Sequence, residues 1–318
     1  DIDRALCDFA GISSSEISKY ISGEAWRKCI DESYVNPFNK EILEIGLNDD
    51  IQYKDFFDLT KIKAEYKNFP LFIHMDMSLA GDKTGIAGTW ITRKRVASSE
   101  TSGSSDLYLR VAFAVDIKAP KGTQISLEKN RRFIYWLKEV GFNIKGITTD
   151  TFQSADTGQT LLQRNYPYKV LSVDRVDTDH ICRPYQYFRN CIYEQRVTCF
   201  YCEKLSDEVA DLERNINTGK IDHPDGHSKD LCDAVCGSLY NASTYADQFA
   251  YDYGEVIDTI KETNMDMDKM QRQQLTVDLE DELKSILQPA SIKQQIQEEK
   301  KDSQSNDLFY LNQGIFII

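Results

Sequence analysis

Hydrophobic and polar positions change their period several times along this chain, and each change predicts an element. From Leu71 to Met77 the apolar run is almost unbroken, as in a buried strand, and Asp76 lies inside it. Gly81-Asp82-Lys83-Thr84-Gly85 reads as a tight turn and Ile86 to Ile91 as the returning strand. Between Leu107 and Ile117 the pattern alternates, placing Leu107, Leu109, Val111, Phe113, Val115 and Ile117 on one face. These runs predict a three-stranded antiparallel meander with a polar hairpin tip at Ala97 to Ser105.

Helical spacing takes over after Ser126, where Phe133, Ile134, Leu137 and Val140 share a face, with Ser126 as the cap and Gly141 as the stop. Asn143 to Thr149 reads as a strand that delivers Asp150 at its carboxyl end. A helix near Thr157 to Asn165 and a strand at Tyr168 to Val173 complete a strand–helix–strand unit, which in one sheet should be parallel and right-handed. Helices are expected near Tyr185 to Glu194 and Glu203 to Asn215. A loop from Asn217 to His227 follows, and then a helix capped by Ser228 and running to about Tyr240.

The flanks read differently. Residues 1–65 predict short helices and turns, with a helix start at Ser13-Ser14-Ser15 and apolar positions at Ile42, Leu43, Ile45 and Leu47, and so a connector or packing collar. Beyond Tyr245 the chain is acidic and rich in Gln, with one amphipathic stretch at Leu279 to Leu287, and reads as a partly disordered or partner-binding tail. The expected organisation is a connector at 1–65, a mixed α/β domain at 66–245 and the tail at 246–318.

Charge sharpens this division. The net charge of −13 argues against nucleic-acid binding when taken whole, but the three segments carry −6, +1 and −8. With cations neutralising a carboxylate cluster in the middle segment, its surface becomes basic, with Arg93, Lys94, Arg95, Lys129, Arg131, Arg132 and Lys138 available for phosphates. No apolar run approaches the roughly 18 residues of a membrane span. DIDRALCDFAG lacks the basic start and apolar stretch of a signal peptide, so a soluble protein without a membrane partner and with reduced cysteines is expected.

Three acidic positions stand out: Asp76 in the first strand, Asp150 after the fourth, and Asp230 on the late helix, with Asp233 three residues on and on the same helical face. Carboxylates brought together without a cation raise one another's pKa, whereas a hard divalent cation makes the same cluster favourable, so clustering implies metal. Cys199-x-x-Cys202, with Cys182, Cys191 and His180 nearby, lacks the second pair of a zinc site and reads as buried thiols. His223-x-x-x-His227 contains Pro224 and Gly226 and so reads as a structural or DNA-facing loop. The Gly81 turn lacks the spacing of a phosphate loop, and no Walker motif occurs, so no nucleotide-hydrolysing motif is read in this sequence.

HMDMSLAGDKTGIAG, ITTDTFQSADTGQTLL, LSVDR and KIDHPDGHSKDLCDAVCG resemble, in order, the motifs of the nuclease domain of tailed-phage terminase large subunits, the DNA-packaging motor proteins. DIDRALCDFAGISS resembles the segment joining the packaging ATPase to that nuclease. The resemblance covers roughly residues 1–245. It implies a ribonuclease-H-like fold, a mixed central β-sheet flanked by helices, and a metal-dependent endonuclease that cuts concatemeric double-stranded DNA. It also implies Mg²⁺ or Mn²⁺ as a pair of ions, with Asp76 shared between them, Asp150 on one and Asp230 on the other. By position Asp233 is an alternative ligand or a partner behind the ligands. Asp82 and Lys229 would stand behind the ligands as well, Lys229 where many relatives carry an acid, and Arg131, Arg132 and Lys83 are candidate DNA contacts. The implied partners are double-stranded DNA, the packaging ATPase domain, the portal and the small terminase subunit, in the host cytoplasm and not in the mature virion. A junction resolvase of the same fold and a non-catalytic DNA-binding or motor-docking module are the competing readings.

Overall fold

Thirteen consecutive residues, Thr84–Val96, form the second strand of the main sheet in the computed structural model, more than the six expected, because the charged stretch after Ile91 continues the ladder. Arg93 is held there by stacking on Tyr108, 3.9 Å from the ring centroid. The described residues are 17–78, 83–96, 105–151 and 155–245. Ser13 to Ser15, Asp82, the hairpin tip at 97–104 and the tail from 246 lie outside them. Residues 1–95 and 105–246 group into one unit, and the remainder into a second that lies almost wholly outside the described residues.

In chain order the elements are β1 (Ile17–Lys19), α1 (Gly23–Arg27), β2 (Ile42–Glu44), β3 (Leu71–Asp76), β4 (Thr84–Val96), β5 (Ser105–Lys118), α2 (Leu127–Glu139) and β6 (Ile144–Thr149). Then come α3 (Ala155–Gln163), β7 (Tyr168–Val170), α4 (Arg183–Tyr193), β8 (Val197–Thr198), α5 (Glu203–Asp211), β9 (Glu213–Asn215), β10 (Ile221–Asp222) and α6 (Asp230–Ser243). The main sheet has seven strands in the order β2-β5-β4-β3-β6-β7, with β8 also on β5. β3 runs antiparallel to β4, whereas the pairs β3–β6, β6–β7 and β2–β5 are parallel. A central first strand with its two successors on one side and two parallel strands on the other fits the ribonuclease-H-like fold that the motif resemblance implies. The sheet is mixed and flanked by helices.

The apolar run of β3 follows from cover on both faces: Leu71, Phe72, Ile73 and Met75 are all at most 1% exposed. At roughly 1.5–3 kcal/mol per fully buried large side chain, this strand anchors the domain. One face of the sheet meets an aromatic cluster in which Phe133 of α2 touches Phe113 of β5 and Phe38, Tyr53 and Phe57 from the preceding segment. α6 packs on β3, β5 and β6. On β5 the alternation is one of large against small, since Ala112 and Ala114 are as buried as Val111 and Phe113.

Residues 17–68 are woven into the same unit. β2 joins the sheet edge beside β5, β1 pairs with β9, and the buried Trp26 indole donates to Ser206 Oγ of α5 at 3.1 Å. Two elements stop earlier than their patterns predict. α5 ends at Asp211 because Leu212 leaves helical backbone (φ −59°, ψ 127°), freeing Glu213–Asn215 to pair with β1 and β10. β7 ends at Val170 because its partner β6 ends at Thr149.

Candidate active site

Register places the first two acids at the same end of the sheet. Asp76 is the last residue of β3 and lies opposite Gly85 of β4, while Met75 lies opposite Thr149 of β6, so Asp150 follows at the same end of the sheet. The third arrives on α6, whose first residue, Asp230, comes down on Gly85. A Cβ on residue 85 would sit 2.1 Å from the Asp230 carbonyl oxygen and 2.7 Å from its carbonyl carbon, so glycine is required there by close approach. Two turns on, Gly237 makes room for the His74 ring, which would lie 2.3 Å from an added Cβ. His74 is itself a core residue: its Nδ1 lies 2.9 Å from Thr148 Oγ1, and burial lowers its pKa to about 4, so it stays neutral.

The carboxylates feel one another. Burial first, then the charges of Asp233, Asp230 and Asp150, push the Asp76 carboxyl up to about 8, against the opposing pull of Lys229. Asp233 is likewise raised by burial, with Lys229 opposing. A buried carboxyl that holds its proton past neutrality marks a place short of positive charge. The donors are hard oxygens, so their chemistry fits a divalent cation of the Mg²⁺ or Mn²⁺ kind. Among the described residues, however, no three His, Cys, Asp or Glu side chains stand close enough to enclose an ion as they are placed.

Lys229 lies beside these acids and pairs with two carboxylates. Its side chain is 8% exposed, and Nζ lies 2.6 Å from Asp174 Oδ1 and 2.7 Å from Asp233 Oδ2. The Tyr185 hydroxyl donates to the other oxygen, Asp233 Oδ1. Burial alone would lower the ammonium's pKa, but Asp233 and Asp174 outweigh it and leave Lys229 raised and charged.

The start of α6 differs from expectation. Ser228 is not its cap: Lys229 holds the N-cap position without a side-chain cap bond, and the Ser228 hydroxyl donates to Glu208 Oε1 at 3.1 Å. The capping oxygen comes instead from α5, where Glu208 Oε2 accepts from the Cys232 amide at 2.8 Å. Glu208 also pairs with Lys204, whose Nζ lies 2.9 Å from the fully buried Asp116 at the end of β5. Burial, opposed by Lys204, leaves Asp116 raised to about 6. The sequence reading missed Asp116, Glu208 and Asp174. An acid inside the apolar run Phe113-Ala114-Val115-Asp116-Ile117 was a signal of the same kind as Asp76.

The candidate DNA contacts are placed as follows. Arg131 is 11% exposed and donates to Thr157 Oγ1 at 3.1 Å and to Asp156, tying α2 to α3. Arg132 is 61% exposed beside Glu128 of its own helix. Lys83 is partly exposed and lies 3.9 Å from Asp116. Lys129, expected to be free for phosphate, is buried and donates to the Gly46 carbonyl, because residues preceding β3 cover that face of α2. Seven cysteines, Cys199 and Cys202 among them, are buried free thiols. His223 and His227 lie in a loop, and His227 Nδ1 is 2.6 Å from Asp211 Oδ2.

No protein-family model matches the chain, and no curated protein sequence matches it. Solved structures do. The chain is similar to the large terminase nuclease of the thermophilic phage G20c with bound magnesium, at 10% identity and TM-score 0.45, over 70% of this chain and 98% of that one. It is similar to the large terminase nuclease domain of Thermus phage P74-26, at 9% identity and TM-score 0.43, over 69% and 94%. With the HK97 bacteriophage large terminase the values are 10% and 0.42, over 70% of this chain and 43% of that chain.

Proposed function

We propose that this chain is a metal-dependent endonuclease of double-stranded DNA. What supports the reading is that Asp76, Asp150 and the first turn of α6 share one end of the sheet, where Gly85 admits the Asp230 backbone. Asp76, Asp150 and Asp230 would hold the divalent ion, Mg²⁺ or Mn²⁺. When bound, that ion offsets the carboxylate charge and polarises a phosphodiester for hydrolysis. Asp76, raised by burial and by its acidic neighbours, would have to be ionised to hold it. Asp116, Lys204 and Glu208 hold β5 and α5 to the start of α6, and so fix where Asp230 stands.

A phosphate path lies close by. Lys83, Lys118 and Lys121 line one cleft, and Lys83 reaches Asp116 at the end of β5. These three lysines, with the exposed Arg132, would take the DNA backbone and give affinity without sequence preference. Following the motif resemblance, the substrate is concatemeric viral DNA cut during genome packaging in the host cytoplasm. The packaging ATPase domain, portal and small terminase subunit are its partners there. Residues 66–245 would be the nuclease, with 1–65 as the connector and 246–318 as a partner-binding tail.

The test compares linear duplex with a four-way junction as substrates, each with Mn²⁺, for the intact chain and Asp230→Ala. Cleavage of the linear duplex by the intact chain alone is the expected result. Cleavage of the junction only would replace the reading with a resolvase, and unchanged cleavage by the variant would remove Asp230 from the site.

A further inference from the structure

At the end of the main sheet away from the acids, the segment preceding β3 closes over β4 and β5 and leaves a cleft of about 280 Å³. Its place follows from register. Trp90 of β4 lies opposite Leu71, whereas Gly85 lies opposite Asp76, so five residues of strand, roughly 17 Å, separate the two ends. Tyr34, Tyr66 and Trp90 give the cleft aromatic walls, and Arg110, Lys61 and Lys63 supply three cations against one acid, Glu32. In a chain of net charge −13 that is a local reversal of sign. The walls are braced: Trp90 stacks on Tyr66, with centroids 5.2 Å apart at 17°, and lies parallel to Phe142 at 6.4 Å. The Arg110 guanidinium carbon is 3.5 Å from the Tyr34 centroid and 5.0 Å from that of Tyr66, and Nη1 is 3.3 Å from Asp31 Oδ2. Lys61 Nζ donates to the Asn36 carbonyl at 3.2 Å, which holds it at the rim. Two further donors, Trp90 Nε1 and Arg110 Nε, are buried without a hydrogen-bond partner among the described residues, and so leave positive partial charge in the wall. Ring surface and fixed positive charge in one concavity suit a ligand that is planar and anionic.

We propose that this cleft binds one nucleotide, its base against the Tyr34 and Tyr66 rings and its phosphate at Lys61 and Lys63, with Arg110 adding a fixed charge. Aromatic faces take any base by stacking and cations take the phosphate, the combination by which unpaired nucleotides are held. The volume sits at the lower edge of the roughly 300–1,000 Å³ of small-ligand pockets, so there is room for one nucleotide and not for a run of them. A paired base does not qualify, because its faces are taken by its neighbours in the stack. The ligand is a free nucleoside monophosphate or an unpaired nucleotide of a DNA strand, and the same chemistry recognises both. Four of the six groups, Tyr34, Lys61, Lys63 and Tyr66, come from the segment expected to be a connector, which therefore completes a site. This cleft is separate from the acids and needs no metal, so it stands apart from the nuclease reading and goes beyond it.

Equilibrium dialysis of radiolabelled dAMP against the full chain tests this, in EDTA so that no metal carries nucleotide to the acids. One dAMP per chain is expected. Deoxyadenosine and inorganic phosphate should each displace it at least about tenfold less well than unlabelled dAMP, since each carries only part of the chemistry. Tyr66→Ala should weaken binding about tenfold through the lost stacking contact. Lys63 is exposed, so Lys63→Glu keeps the fold, and it should weaken binding at least about threefold at low salt. A short single-stranded oligo(dA) that displaces the label better than dAMP does upholds the site as one for a DNA strand, and one that displaces it less well upholds it as one for free nucleotide. No dAMP bound in EDTA, inorganic phosphate displacing as well as dAMP, or unchanged binding by either variant would overturn the nucleotide site, and none of these outcomes bears on metal-dependent cleavage.

Discussion

Replacing Asp76 with Asn should stabilise the metal-free protein, and the gain should grow with pH. The carboxyl moves from 3.8 in the ordinary state to about 8 in the fold, chiefly because it is buried and faces other carboxylates. At 1.36 kcal/mol per tenfold, a rise of about four decades makes the folded state disfavour the ionised group by up to about 5 kcal/mol. Asp233, Asp230 and Asp150 share the repulsion and can relax when one charge is removed, so we expect on the order of 3 kcal/mol at pH 8. The sign follows from linkage. With the folded value above the unfolded one, stability is fullest below about pH 4 and is lost as pH rises through about 8, and Asn suffers no such loss. For a domain of this size 1 kcal/mol moves Tm by roughly 2–4 °C, so Asp76→Asn should melt about 6–12 °C above the parent at pH 8 in EDTA. The gap should be smaller at pH 5. Adding Mg²⁺ at pH 8 should raise the parent's Tm and not the variant's. A variant no more stable than the parent at pH 8, or a gap that widens as pH falls, would refute the reasoning.

Other substitutions test other parts of the account. Gly85→Ala drives a methyl into the Asp230 carbonyl and should cost about 3 kcal/mol in urea unfolding, with Mn²⁺ binding weakened as well. Lys118→Gln with Lys121→Gln should leave Tm within about 2 °C and shallow the salt dependence of DNA binding, with a log–log slope reduced by up to about 2. The thiols of Cys29, Cys182, Cys191, Cys199, Cys202, Cys232 and Cys236 should resist alkylation in the native protein and react in denaturant, read by peptide mass spectrometry.

Much of the fold was legible because its signals are local. The apolar run of β3, the alternation of β5, the Ser126 cap and the face of α2 each lie within one short window, and the elements formed where those windows are. The ends of elements were not, because partners far along the chain decide them. Ser228 looks like a helix cap from its neighbours, yet the oxygen that serves the α6 amides comes from Glu208 on another helix. Lys129 sits on the polar face of an amphipathic helix and looks exposed, until Gly46 and Tyr53 are seen to cover it. In the candidate site, Asp76, Asp150 and Asp230 could be picked out as acids at strand and helix ends. Asp174 and Tyr185 could not, since they meet the Lys229 ammonium and the Asp233 carboxylate through contacts that no spacing in the sequence reveals.

If Asp76, Asp150 and Asp230 hold a divalent ion for phosphodiester hydrolysis, cleavage must need both the metal and the carboxylates. Supercoiled-plasmid cleavage in Mg²⁺, Mn²⁺ or EDTA, comparing this chain with its Asp150→Ala variant, tests it most directly. Nicking and linearisation by the parent with either metal are expected, with none in EDTA and none by the variant. Cleavage that survives EDTA, or that Asp150→Ala performs as well as the parent, would contradict it.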